Sequence, residues 1–323
     1  MDYPSFFESH IKTVIDSYNA EREKITNGCG FVFITDLHIH LNGRASVPLI
    51  LELGKRTDVK TVLCGGDHCW AFGSKAQCIA DITDSLCYMD PIRGRMELFH
   101  AKGNHDATVR SSWELNTGFT MLYEQIQQML AQHMSIPSGY VAGKTYFFHD
   151  DEDAMVRYIV LDTNEPHAAE ATAWGIGNGM KDKQLRWLAD IALRLPGDAW
   201  SAIVMGHIPC CSEMKSYCPQ LDAMRCVLEA FKHKSACEYG DFSLAQGDLV
   251  AYLCGHNHVD SSEIQNGLLH ISTGCDAYCK DDRYSRNVGE PENTLFDLFL
   301  LDKERKQLKI FRIGAGSSRQ FDY

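Results

Sequence analysis

The chemistry in this chain is concentrated at Asp36-Leu37-His38, Gly66-Asp67, Gly103-Asn104-His105-Asp106, Gly206-His207 and Gly255-His256-Asn257-His258. Together these motifs offer two carboxylates (Asp36, Asp67), one amide (Asn104) and four imidazoles (His38, His207, His256, His258), with His105 to spare. Such a mixture of oxygen and nitrogen donors is the ligand inventory of a pair of first-row metal ions. Two ions about 3.5–4 Å apart can bind one hydroxide and two phosphoryl oxygens, lower the pKa of water towards about 7 and clamp an in-line displacement. A bridging carboxylate would hold the ions at that distance. Neutral imidazoles and an amide would fill the other positions without cancelling the charge that must attract phosphate. A protonated His105 could hand its proton to the leaving oxygen, an effect typically worth about 10² to 10⁴ in rate. Asp106, next in sequence, could orient His105 or keep it protonated, or could cap a following helix.

Each motif directly follows an apolar run that reads as a buried strand, at 31–35, 61–64, 96–102, 202–205 and 249–254. In open α/β sheets ligands gather outside the carboxyl ends of the strands, so residues far apart in sequence can share one site. Glycine before the last four motifs lets the strand turn sharply there. Between the strands, residues 182–195 place Leu185, Leu188, Ala189, Ala192 and Leu195 on one helical face, with Asp182 as the N-cap and Pro196-Gly197 as the stop. Ile79, Ile82 and Leu86 form a similar stripe, and 113–133 and 219–232 are further helix candidates. Residues 157–162 and 268–273 read as additional strands. The tail, 294–313, is two apolar runs separated by the charged segment 302–306, a hairpin signature. Antiparallel pairing there makes the fold α/β with mixed sheets.

A chain of 323 residues can hold one to three domains. Because one site draws on both halves, and no Pro/Gly/Ser-rich linker or repeat intervenes, a single domain over 1–323 with a core of about 30–313 is the economical reading. Its 31 basic and 43 acidic side chains leave a net charge of −12, which argues against nucleic acid as a partner. The 13 cysteines are irregularly spaced and no apolar signal core follows Met1, which fits a cytoplasmic protein with reduced thiols. No two-plus-two CxxC spacing exists, so Cys210, Cys211, Cys275 and Cys279 read as small hydrophobes rather than a zinc site. No apolar run approaches the roughly 20 residues of a membrane span.

The ordered set DxH, GD, GNHD, GH and GHxH resembles the calcineurin-like metallophosphoesterase superfamily, over about residues 30–313. The resemblance implies a four-layer αββα sandwich, two mixed β-sheets flanked by helices. It also implies hydrolysis of phosphate mono- or diesters by a metal-bound hydroxide with two metal ions, drawn from Mn, Fe, Zn and Co. Carried over by motif, one ion takes Asp36, His38 and His258, the other Asn104, His207 and His256, with Asp67 bridging and His105 as the leaving-group acid. Residues 157–162 and Gln184-Leu185-Arg186-Trp187-Leu188 further resemble the branch containing class III cyclic-nucleotide phosphodiesterases and purple acid phosphatases. The GDxVDRG and GNHE of protein serine/threonine phosphatases are absent. Where many relatives carry Asp or Asn shortly after the GD aspartate, this chain has His68-Cys69-Trp70.

The expected function is therefore a binuclear hydrolase of small phosphoesters. Its rivals are a catalytically silent metal-binding scaffold and a nuclease. Residues 210–248 form a long excursion between two strands that both end at the site, and are expected to make a flap whose Tyr239 and Phe242 touch the ester's organic group. His40, Asn42 and His68 are further candidates for substrate contact, and Asp162 reads as a structural residue at a strand end.

Overall fold

The computed structural model describes residues 3–70, 74–107, 118–165, 179–277, 286–287 and 289–323. Two large sheets each mix parallel and antiparallel pairing; the parallel strands form one edge of the first and the centre of the second. The first runs β15 (Arg319–Asp322), β14 (Gln307–Gly314), β13 (Leu295–Asp302), β1 (Gly28–Ile34), β2 (Thr61–Cys64), β3 (Glu97–His100). The second runs β11 (Ser261–Gln265), β12 (Leu268–Ser272), β10 (Asp248–Cys254), β7 (Ser201–Met205), β6 (Val156–Val160), β5 (Phe147–Asp151), β4 (Gly139–Tyr140). The tail hairpin is β13 and β14, and β13 pairs directly with β1, so the last segment of the chain completes the sheet that the first strand begins.

Alternation along β1 sets the layers. Phe31 and Phe33 point into an apolar core shared with Phe99, Tyr158, Ile203, Leu253 and Phe299, which lies between the sheets. Val32 and Ile34 point the other way, into a core with α1 (Glu8–Arg22), α2 (Ser46–Arg56) and α3 (Lys75–Arg93). α4 (Gly118–Gln132) packs on α3. A third core covers the far face of the second sheet with α5 (Asp182–Trp187) and α6 (Asp222–Lys232). The order is helices, sheet, sheet, helices, as expected. Phe31 stacks on Phe299 with ring centroids 4.7 Å apart, and each such buried side chain contributes about 1.5–3 kcal/mol.

Register brings the strand ends level. Ile34 pairs with Cys64 and Cys64 with His100 in the first sheet, while Val160 pairs with Met205 and Met205 with Leu253 in the second. The loops after β1, β2, β3, β7 and β10 therefore leave from one rim.

Two expectations are corrected. The helix over 182–195 is α-helical only to Trp187 and continues as a π turn over Leu188–Ala192, with Lys181 rather than Asp182 in the cap position. Asp182 instead accepts the Tyr239 hydroxyl at 3.2 Å. The excursion after β7 is also not one flap. Because β7 and β10 are parallel neighbours, the chain must cross back over the sheet. α6 makes that crossing, the hairpin β8 (Ala236–Cys237)–β9 (Gly240–Asp241) follows, and Phe242 is buried edge-on against Phe231 at 5.7 Å. Only the stretch before α6 stays at the rim, where the Lys215 carbonyl accepts the Asn257 amide. The N-terminal part of the helix expected over 113–133 lies outside the described residues. No helix among the described residues is long and apolar enough to cross a membrane.

Candidate metal centre

Backbone hydrogen bonds zip the loops after β1 and β2 together. Asp36 N donates to Gly66 O at 3.0 Å, His38 N to Asp67 O at 3.1 Å, and Ile39 N to His68 O at 3.1 Å. The close packing forces left-handed backbone on Asp36 (φ 53°), His38 (37°), Asp67 (57°), His256 (70°) and His258 (55°). Asp and His tolerate that region better than most side chains, yet such outliers cost on the order of 1–3 kcal/mol each and cluster where function demands them. Gly103 is required for the same reason, since a Cβ there would lie 2.1 Å from Asp67 Oδ1.

All seven side chains expected as ligands converge on this rim. Asp36, His38, Asp67 and His258 each present a donor atom within 4.8 Å of the others. His38 Nε2 lies 3.1 Å from His258 Nε2, and His258 Nε2 lies 3.2 Å from Asp36 Oδ1. Asp67, His207 and His256 form a second such group. In it His207 Nε2 is 3.1 Å from Asp67 Oδ2, and Asn104 Oδ1 is 3.0 Å from His207 Nε2 and 2.8 Å from His256 Nδ1. Asp67 belongs to both groups.

The far sides of the rings fix which nitrogen faces inward. His38 Nδ1 donates to Cys69 O at 2.9 Å and His207 Nδ1 to Gly65 O at 2.8 Å, so each Nε2 is turned to the centre. Burial would raise the Asp36 and Asp67 carboxyls, but His258 holds Asp36, and His207 with His105 holds Asp67, below the ordinary carboxylate range. Burial pushes His38 down to about 4 and, with His207 nearby, His256 down to about 3, so both rings are neutral donors. Burial also pulls on His207, but Asp67 and Asp36 outweigh it and raise His207 to about 9; an incoming cation would replace that proton.

Asp36 Oδ1 and Asp67 Oδ2 are buried with no hydrogen-bond partner. His258 and His207 face them at 3.2 and 3.1 Å, but an imidazole alone compensates a buried carboxylate oxygen incompletely. Cations are the partners that would relieve it, so these residues fit bound metal ions.

His105 stands at the mouth. Its backbone N donates to Asp67 Oδ1 at 2.8 Å and its Nε2 lies 3.9 Å from Asp67 Oδ2. Its side chain is 28% exposed, against 0% for His38 and His207 and 11% for His258. Trp70 lies parallel to the His105 ring at 5.4 Å and edge-on to His38 at 4.4 Å. Sequence reading missed Trp70, although its position just past an unusual His-Cys pair was the available signal.

Asp106 departs from its expected role. Its Oδ2 accepts Asp67 N, Gly103 N and His68 Nδ1 at 3.0, 2.9 and 2.9 Å, and its Oδ1 accepts His68 N at 2.7 Å. It clamps the loop that carries Asp67 and both its oxygens are committed there, not to His105. His68 is correspondingly buried rather than open to substrate, with Nε2 3.0 Å from His100 Nδ1. Burial disfavours its charge, but Asp106 outweighs this and raises its pKa well above the ordinary value. Asn42 is spent on Leu37 O at 3.0 Å and Asp276 Oδ2 at 2.6 Å. The His40 side chain lies outside the described residues. Asp162 is structural, paired 2.9 Å from the fully buried Lys102 ammonium.

A sequence profile of the calcineurin-like phosphoesterases matches residues 30–260. No curated protein matches the chain. Among solved structures, a putative 5'-nucleotidase from Staphylococcus aureus gives a TM-score of 0.48 at 11% identity, covering 92% of this chain and 54% of that one. Phosphopantetheinyl hydrolase from Mycobacterium tuberculosis gives 0.40 at 13% identity, covering 78% and 91%. Vacuolar protein sorting 29 from Cryptosporidium parvum gives 0.38 at 13% identity, covering 92% and 100%. These are weak likenesses.

Proposed function

Because the chain belongs to the calcineurin-like phosphoesterase family, whose members use metal ions, we propose that it is a two-metal hydrolase of small phosphate esters. Asp36, His38 and His258 would hold one ion and Asn104, His207 and His256 the other, with Asp67 available to both. The observation that carries this reading is the pair of oxygens, Asp36 Oδ1 and Asp67 Oδ2, buried without a hydrogen bond among imidazole nitrogens. Bound ions would supply Lewis acidity, polarising the phosphoryl group and acidifying the attacking water.

The chain's own residues do the rest. His105, the most accessible of the compared imidazoles, donates a proton to the oxygen that leaves as the P–O bond breaks, while Trp70 keeps its ring upright. Asp106 fixes the loop backbone so that Asp67 does not drift. The nitrogen and oxygen donors suit Mn, Fe, Zn or Co. A partly exposed His105 beside a full donor set favours turnover over a silent scaffold, and the net charge of −12 disfavours a nuclease. None of the twelve cysteines among the described residues is in a disulfide, which fits a reducing compartment, and we place the protein in the cytoplasm.

The test is metal analysis combined with turnover of bis(p-nitrophenyl) phosphate and p-nitrophenyl phosphate after loading with Mn²⁺. Two ions per chain and hydrolysis of at least one ester are expected. Two ions with no hydrolysis of either would leave the scaffold reading in its place.

A further inference from the structure

Cys275 sits just past the end of β12, wholly buried, and its sulfur lies within 4.8 Å of donor nitrogens on both His38 and His258. These are the two imidazoles that also face Asp36. Cys275 is held there by its neighbours on every side. Gly274 N donates to Asp260 Oδ1 at 2.8 Å, Cys275 O accepts Arg286 Nη1 at 2.8 Å, and Asp276 N donates to Thr35 O at 3.1 Å. The thiol itself donates to the Asp36 carbonyl at 3.1 Å. That carbonyl has a second donor, Ala277 N at 3.3 Å, so losing the thiol proton would not strand it. Independently, Asp36 Oδ1 is buried without a hydrogen bond and directed at the same imidazole pair, where a cation would compensate it.

We propose that Cys275 is a further ligand of the ion held by Asp36, His38 and His258, and that its thiolate biases this position towards thiophilic ions such as zinc over manganese. The inference rests on the two-metal reading above. On coordination the S–H bond breaks, its proton goes to solvent and a metal–sulfur bond forms, with no change of oxidation state. An imidazole and carboxylate set accepts manganese and zinc alike, whereas an added thiolate favours the softer ion. The surroundings differ from those of a lone buried cysteine, which behaves as a small hydrophobe.

The full-length protein, stripped with a chelator and loaded with Co²⁺, provides the test. A sulfur-to-cobalt charge-transfer band in the near ultraviolet is expected beside the visible ligand-field bands, and only the former should vanish in Cys275→Ser. Zinc-over-manganese preference, measured by competition, should fall by about tenfold or more in the same variant. Ligand-field bands without charge transfer in the wild type, or a charge-transfer band that survives in Cys275→Ser, would overturn the assignment while leaving the two-metal reading intact. Absence of any bound cobalt would remove both. Should Cys275→Ser fail to fold, X-ray absorption of the zinc-loaded wild type gives the answer alone: one sulfur at about 2.3 Å supports the proposal, and a shell of nitrogen and oxygen only refutes it.

Discussion

Buried charge is handled in two opposite ways within a few residues of each other. Around Arg312 every carboxylate oxygen has a donor. Arg312 gives its Nη2 to Asp260 Oδ1 at 2.9 Å, its Nη1 to Asp260 Oδ2 at 2.5 Å and its Nε to Asp297 Oδ1 at 2.8 Å, and Arg319 with Thr273 saturates Asp297 Oδ2 at 2.8 Å each. Around Asp36 and Asp67 the donors run out, and one oxygen of each faces imidazole nitrogens instead. A network that serves stability closes on itself, whereas one that serves binding leaves valence open for what is to be bound. The contrast is sharp because both clusters hang from the same loop: Asp260 is two residues beyond His258.

Asp67→Ala should break the comparison at its open end. Both ions are expected to leave and turnover to fall on the order of 10³-fold, equivalent to about 4 kcal/mol. The metal-free variant should also melt below metal-free wild type, because His207 loses its charge partner and the His105 backbone N–H its acceptor. Metal analysis after gel filtration and melting in chelator check both halves; two retained ions would sink the shared-ligand assignment. At the closed end, Arg312→Met leaves Asp260 Oδ2 and Asp297 Oδ1 without their donor and should cost about 3–5 kcal/mol in urea titration. Metal content per folded chain should not change, and a loss of metal larger than the loss of folded protein would mean that the two clusters are one.

His105→Ala sharpens the contrast from within the site. It should keep both ions yet lose about 10²-fold in rate on esters with poor leaving groups and much less on nitrophenyl esters, because an acidic leaving group hardly needs a proton. Equal losses across a leaving-group series would exclude the acid role. Asp106→Asn keeps one acceptor oxygen and the shape of the clamp, so its cost should be about 1–2 kcal/mol in stability with roughly tenfold weaker metal binding. Unaltered metal affinity would confine Asp106 to the fold. Smallest of all, Tyr239→Phe removes a solvent-exposed hydrogen bond to Asp182 and should leave the ranking of ester substrates as it is. A reordered ranking of kcat/KM would bring the crossover segment back to the site.

What the sequence made legible was the part whose chemistry depends on side-chain identity. That Asp36, His38, Asp67, Asn104, His207, His256 and His258 converge on one rim could be read because few residue types offer donors to a metal, and the apolar runs before them could be read because a sheet buried on both faces permits little else. The partners that aim those side chains were out of reach. Cys69 and Gly65 act through backbone carbonyls, which every residue has. Asp106 looked like a partner for its neighbour His105, but backbone direction turned it towards the loop of residues 66–69. The excursion over 210–248 misled because length and amphipathicity specify a helix without saying which side of the sheet it covers. α1 carried a readable stripe in Ile11, Val14, Ile15 and Tyr18, passed over because it lies outside the motifs.

The five left-handed residues on the rim bear on how this protein could change over generations. At Asp36, His38, Asp67, His256 and His258 the backbone admits glycine, asparagine, aspartate or histidine far more readily than valine or isoleucine. A descendant that abandons hydrolysis can therefore keep its loops in place by drifting through glycine or asparagine at these positions, while a drift to branched residues would unravel the rim before any new use for it could arise.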